Sequence, residues 1–528
     1  MLQRRQLLSA GAALAGAGLS RRAFGASTSS IIRFVPQADL SSIDPVWTTA
    51  TVAFNHAMLV YDTLYGIDLA QQPQPQMVAG HEISDDKLTW TFTLRDGLFF
   101  HDGEKVRALD CTASIARWAK RKGFGQKLAS LTAEMKPLDD KRFRIQLTKP
   151  FPLMTYALGA ADICFIMPQR SAEVDPFKQI TDATGSGPFR FLDKERVSGA
   201  FVAYEKFDKY VPRQEKPSYW SGGKVANVDR VEWRVTPDPS TAASALQRNE
   251  VDWIEQPLFD LLPMMRKQAG IQLVAIDPLG APGVMALNHT QPPFDNEKLR
   301  QALLPAIDQN EFMTALVGDQ TQSMKTPVGI FTLDTPAAST VDLQVFSGKR
   351  DVALAKRLVA ESGYKGEKVV LMAPSDQAVL IPLAQVAQSV LQEIGLNVDY
   401  QVMDWGTLIS RRASDKPASE GGWNMFCTSW NGITLSNPGS HFPLRGNGKS
   451  GWFGWPTSPV LEGLRDDWFA APDAAAQKAI CDKMQAVAFK EVPFIPLGEY
   501  YLPSALRTSI TDVVHCGNTS FWGARKTA

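Results

Sequence analysis

The 528-residue chain has no excess of charge of either sign: 55 Lys and Arg stand against 55 Asp and Glu. That balance points to no nucleic-acid partner and no anionic membrane surface. Its five cysteines, Cys111, Cys164, Cys427, Cys481 and Cys516, are scattered and form no CxxC pair. An odd, dispersed set defines no disulfide framework, and it reads as isolated buried thiols. The six histidines show no HExxH or related spacing, so neither a metal nor another cofactor is indicated. There is no G-x-S-x-G nucleophile elbow. The adjacent carboxylates Asp85-Asp86 and Asp466-Asp467 read as solvated turns or helix faces. The glycine-rich turn at 184–191 runs into the extended Pro188-Phe189-Arg190-Phe191 instead of a helix N-terminus, which excludes a phosphate-cradling loop. No repeat or low-complexity stretch is evident.

The N-terminus carries an export pattern. Arg4 and Arg5 precede an uncharged Ala/Gly/Leu-rich run, followed by Arg21, Arg22 and a small-residue site near Ala26. The run is too short and too weakly apolar to be a good membrane span. A cleaved leader over residues 1–26 is expected, and Arg4-Arg5-Gln6-Leu7-Leu8 resembles a twin-arginine signal. Its removal takes away four arginines and no acids. No cysteine follows the run to carry a lipid anchor, so a soluble periplasmic protein is expected, with no membrane insertion.

The most unusual stretch is 428–456, TSWNGITLSNPGSHFPLRGNGKSGWFGWP. It holds six glycines and three tryptophans, lacks sustained periodicity, and has only Arg445 and Lys449 as permanent charges. Loops this long in folded proteins are usually functional or disordered, and disordered segments are poor in aromatics. Trp430, Trp452 and Trp455 are suited to lining a pocket on a rigid scaffold; the bland alternative is that they cover a sheet end.

Around this loop the chain alternates strands and helices. Strands are expected at 31–35, 90–94, 143–147, 231–235, 251–254, 283–288, 368–372, 397–402 and 494–497, from alternating or continuous apolar runs. Helices are expected at 110–122, from 239 to 247, from 297 to about 317, at 350–362 and 377–394, where Gly363 and Gly395 mark the ends of the last two, and at 472–491. The strand–helix–strand order over 368–402 resembles a parallel α/β unit.

Several segments, in order, carry a resemblance to the peptide/nickel/dipeptide family of extracytoplasmic solute-binding proteins (family 5), served by ABC importers. They are Ser42-Ile43-Asp44-Pro45, LVYDTLYGID at 59–68, LTWTFTLRDGLFFHDGEKVRALDCTASIARW at 88–118, GSGPFRF at 185–191, NEVDWIEQP at 249–257, LNHTQPPFDNEKLRQALLPAID at 287–308, LVAESGY at 358–364 and VPFIPLGEYY at 492–501. The resemblance implies an α/β, periplasmic binding protein-like class II fold of three domains. Domain I would be discontinuous (31–63, 184–286, 500–528), domain II inserted (64–183), and domain III would span 287–499, with a hinged cleft between I and III. It also implies a monomeric, non-catalytic receptor that hands a short peptide or other small molecule to an ABC permease with its cytoplasmic ATPases.

Candidate ligand contacts are Trp47, Asn288, His289, Asp404, Trp405, Trp430, Asn431, Asn437, Arg445, Trp452 and Trp455, with Arg411 and Arg412 as further partners for a carboxylate. Peptide-binding relatives carry an Asp three residues after the tryptophan matching Trp430; here that position is Ile433, and Asn437-Pro438 replaces a common Asp-Pro. A buried α-ammonium needs a partner, so Asp404 is considered as a substitute. A modified or cyclic peptide, opine, glycoside or metal chelate is the alternative ligand. An exported hydrolase or cofactor enzyme is the remote alternative.

Overall fold

The computed structural model describes residues 30–160, 162–347 and 349–527, so the leader expected over 1–26 lies outside the described residues. Three large sheets organise the described residues, beside three two-stranded ones. The first expected strand, Ile31–Val35, lies in the middle of a seven-stranded sheet, parallel to Arg230–Arg234 on one side and Trp253–Ile254 on the other. Ser504–Arg507 and Ile271–Val274 continue the sheet antiparallel. Phe34 and Trp253 are fully buried there, in edge-on contact with each other and, for Phe34, with Phe521. Ile32 and Phe34 are buried while Ile31 and Arg33 are half-buried, the period-two pattern that makes IIRFV legible as a strand.

A four-stranded antiparallel sheet, in the order Val78–Ile83, Thr89–Leu94, Arg142–Leu147, Thr132–Pro137, holds the WTFTL and FRIQL segments. Their alternation is reproduced in burial: Trp90, Phe92 and Leu94 point inward on one strand, and Phe143, Ile145 and Leu147 on its neighbour. Phe92 stacks on Phe143 at 4.9 Å, a cross-strand aromatic pair. The helix Ala108–Ala119 packs beside this sheet, started by Asp110, which accepts from the Arg107 amide.

The third sheet is six-stranded, in the order Met324–Lys325, Phe494–Tyr500, Ala281–Leu287, Met425–Ser429, Lys368–Pro374, Asn397–Met403. Lys368–Pro374 and Asn397–Met403 are parallel and joined through the helix Ile381–Glu393, the α/β unit expected from the sequence. Gly363 and Gly395 follow the helices Val352–Glu361 and Ile381–Glu393 with positive φ, as terminating glycines do. Two expectations are corrected. The single helix from 297 to 317 is two helices, Glu297–Leu303 and Gln309–Val317, because Pro305 lacks an amide; a 3₁₀ turn intervenes and Asp308 caps the second piece. Ala281–Leu287 already belongs to the six-stranded sheet, so the chain leaves the seven-stranded sheet between Val274 and Ala281, ahead of the expected division after 286.

The regions around the first two sheets are tied together by buried charge. Asp44 accepts from Arg117 at 2.6 Å with both side chains at 0% exposure, and also from the amides of Val46, Trp47 and Ile180. Asp62 pairs with Lys224 at 2.8 Å and accepts from the Tyr210 hydroxyl. The five cysteines are all buried and free.

Removing one partner of such a pair strands the other charge. Asp44→Asn is expected to lower unfolding free energy by about 3–5 kcal/mol, measured by guanidinium unfolding. A loss below about 1 kcal/mol, the range of a surface pair, would remove Asp44 from its structural role.

Candidate ligand-binding cleft

The strand Met425–Ser429 ends at the loop that carries Trp430, and the loop's position is heavily determined. The Gly432 amide donates to Gly280 O at 2.9 Å, and its carbonyl accepts from Thr332 Oγ1 at 2.6 Å. A Cβ at Gly432 would lie 2.5 Å from Leu279 Cβ, so only glycine permits this approach. His441 accepts from the Leu444 amide at Nδ1, which leaves Nε2–H to donate to Ile330 O at 2.7 Å. Arg465, on the helix Pro459–Ala470, donates to the carbonyls of Pro438 and Leu444. Asn437 Oδ1 accepts from the Gly439 and Ser440 amides.

Thus fixed, the loop forms one wall of a small cavity, about 50 Å³, at the junction of segments from all three sheet regions. Trp430, Asn431, Thr434 and Phe442 come from the loop, with the Trp430 and Phe442 rings stacked at 5.3 Å. Thr48, Thr49 and Thr51 come from the chain around the N-terminus of the helix Thr51–Val60, a terminus that no side chain caps. Lys122, Asp162, Trp220 and Asn518 complete the wall. The volume is room for a few waters only, so the walls stand close together.

This wall is rich in unsatisfied polar atoms. Among the described residues, Asp162 Oδ1, Trp430 Nε1, Trp220 Nε1 and both amide atoms of Asn518 have no hydrogen-bond partner. Buried polar groups are nearly always paired in folded proteins, so water or a ligand entering the cavity has partners in its wall. Burial pushes the Asp162 carboxyl up and the Lys122 ammonium down. Asp162 Oδ2 accepts from the Phe124 amide at 3.0 Å.

The sequence candidates divide. Trp430 and Asn431 line the cavity. Trp452 stands behind them, edge-on to Trp430 at 5.3 Å, with its indole N–H donating to Thr49 Oγ1. Arg412 lies across Trp452 and Phe453 and donates to the same hydroxyl at 3.3 Å, and burial lowers its pKa to about 9. Trp47 is half-buried, and its carbonyl accepts from Arg121. Arg445 bonds Gln126 and lies 3.8 Å from Glu462.

Others have structural partners elsewhere. Asn288 bonds Trp423 O and Thr290, and Trp455 packs on Trp423. His289 bonds Pro493 O, and burial lowers its pKa to about 3. Asp404 caps the helix Trp405–Arg411 through the Thr407 amide, and Trp405 is buried at that helix start, its amide bonded to Asp376. Arg411 bonds Gln401 and the carbonyls of Gly421 and Gly422. Asn437 borders a separate cavity of about 360 Å³ beside Tyr156 and Trp468.

Lys122, Asp162 and Asn518 were not legible as site residues. Lys120-Arg121-Lys122 reads as a solvated basic helix end, and Asp162 and Asn518 stand in unpatterned loops. Ile433 is buried in the turn Gly432–Leu435, but Asp162 places a carboxylate on the cavity wall from another part of the chain. Among the described residues there is no group of three potential metal ligands, and no helix is long and apolar enough to cross a membrane.

An α/β chain of three sheets whose regions meet around an aromatic, polar-lined cavity has the build of a solute receptor. The chain belongs to the bacterial extracellular solute-binding proteins, family 5, whose middle region matches residues 72–452. It is 37% identical over 521 residues, 98% of each chain, to a probable peptide ABC transporter periplasmic-binding protein, y4tO, of Sinorhizobium fredii. It is 26% identical to the glutathione-binding protein GsiB of Salmonella paratyphi A, covering 96% of this chain and 97% of that one. The fold matches a dipeptide binding protein from Pseudoalteromonas sp. SM9913, crystallised with Met-Leu, at a TM-score of 0.77 and 20% identity, over 94% of this chain and 100% of the other.

The loop anchor His441 predicts a pH signature. Burial lowers its pKa from 6.5 to about 3, so the unfolded chain binds more protons between these values. Its contribution is complete above pH 6.5 and is lost as pH falls toward 3. The stability gap between the native protein and His441→Gln should therefore narrow by about 2 kcal/mol from pH 7 to pH 5, measured by guanidinium unfolding at both. A pH-independent gap would show that His441 does not titrate in this way.

Proposed function

We propose that this protein is the periplasmic substrate-binding component of an ABC importer and that it captures a short peptide or peptide-like solute at the Trp430 cavity. The carrying observation is the near full-length relationship to a probable peptide ABC transporter periplasmic-binding protein. The cavity supports it independently, with a stacked Trp430–Phe442 pair for apolar side chains and unsatisfied polar groups for a peptide backbone. Asp162 Oδ1 is the partner for an α-ammonium, in place of the acid missing at 433.

In this reading the three sheets are the cores of three domains. A cavity of about 50 Å³ is too small for a dipeptide, since ligand pockets run to roughly 300–1,000 Å³, so the walls separate to admit ligand and close behind it. The working protein is a soluble periplasmic monomer, exported by its twin-arginine leader, which delivers the solute to a membrane permease without chemistry of its own.

Isothermal calorimetry with di-, tri- and tetrapeptides tests the reading. Binding is expected, and Trp430→Ala should weaken it by about 100-fold, the loss typical of a central aromatic anchor. Absence of binding by every peptide at millimolar concentration would overturn it.

A further inference from the structure

Lys122 has an unusual position. It is 7% exposed and borders the cavity, with its ammonium 5.3 Å from the centre of the Phe442 ring. The other deeply buried lysine, Lys224, is neutralised by Asp62 at 2.8 Å. Among the described residues Lys122 forms no ion pair and no side-chain hydrogen bond, and Asp162 acts on it only through space. An ammonium on a side chain this buried, without a hydrogen-bonded counter-charge, is free to take up an anion at the cavity.

Two features around it carry the same sign. Thr51 at the start of the ten-residue helix Thr51–Val60 lines the cavity and no side chain caps that helix, so its positive dipole end adjoins the same space. Arg412 is buried one layer back, with Thr49 Oγ1 as its hydrogen-bond partner and, among the described residues, no carboxylate. Asp44, the second acid near Lys122, is already engaged by Arg117. Asp162 is thus the single carboxylate in the cavity wall, facing Lys122 and the helix terminus.

We propose that the cavity holds a carboxylate of its ligand between Lys122 Nζ and the N-terminal turn of the helix Thr51–Val60, which makes this a receptor selective for solutes with an unblocked acid group. The acid is either the peptide's α-carboxylate or an acidic side chain, since both offer the same two oxygens. The inference rests on the peptide reading above and names the group recognised and the residue that recognises it. Phe442 and Trp430 then enclose the pair and exclude water, which strengthens it.

The test uses alanyl di-, tri- and tetrapeptides, each as the free acid and as the C-terminal amide, together with amidated peptides carrying one glutamate. Calorimetry is run on the native protein, Lys122→Met and Lys122→Arg, with circular dichroism confirming each fold. The expected result is that probes bearing a carboxylate bind the native protein at least about tenfold more tightly than uncharged counterparts. That preference should vanish in Lys122→Met and return in part in Lys122→Arg, while weak binding of the amides changes little. If acids and amides bind alike, the inference falls while the peptide reading stands, and the same holds if Lys122→Met weakens both equally. If no probe binds, the peptide reading falls and takes this inference with it. Should Lys122→Met fail to fold, the acid–amide comparison on the native protein and Lys122→Arg still decides.

Discussion

The geometry of the cleft depends on one buried ion pair. Asp44 and Arg117 meet at 2.6 Å at zero exposure, and the desolvation cost of a charge pair that deep is offset by further hydrogen bonds to its atoms. Asp44 uses its capacity on the amides of Val46, Trp47 and Ile180, and Arg117 also reaches the carbonyls of Val174 and Lys178. These bonds fix the segment that leads from the central strand into Thr48, Thr49 and the uncapped start of the helix Thr51–Val60. The pair also anchors the C-terminal end of the helix Ala108–Ala119, just beyond which Lys122 projects. Both halves of the cationic wall of the cavity are therefore set by one interaction.

The opposite wall follows a different logic. The aromatic loop has little regular structure beyond short 3₁₀ turns, and its order comes from side chains that tie it to its surroundings: Arg465 and Thr332 reach in to its carbonyls, and the loop's own His441 bonds Leu444 and reaches out to Ile330. The rings then pack on one another, Trp430 on Phe442 and Trp452. A loop held from its flanks can keep its shape while the whole wall moves, which suits the opening and closure proposed for the cleft. Unpaired groups such as Lys122 and the Asn518 amide cost stability, and the proposed ligand would recover that cost by satisfying them.

Much of the architecture was legible from local patterns. Ile31–Val35, the WTFTL and FRIQL strands and the α/β unit over 368–403 follow from apolar runs and period-two alternation, because burial on one or both faces writes directly into residue order. Family membership was legible from segments such as Ser42-Ile43-Asp44-Pro45, whose acid proves to be the buried partner of Arg117. The break at Pro305 was missed because the apolar stripe continues through it, and the early entry into the six-stranded sheet was missed because strand assignment to a sheet is a long-range choice.

For the cleft, the sequence by itself determined that the loop at 428–456 is ordered, aromatic and buried, since three tryptophans and six glycines in a segment with two charges leave few alternatives. It also determined that an acid is absent at 433. Only the tertiary structure decided which polar groups share the cavity with Trp430. Lys122, Asp162 and Asn518 come from positions up to 396 residues apart in the chain, and nothing local distinguishes them from solvated residues of the same kind. Asp404 and His289 show the converse: each was a plausible contact by residue type, and each is consumed by a helix cap or a carbonyl. Charge recognition depends on which groups are left unpaired after folding, and that is settled by packing across the whole chain.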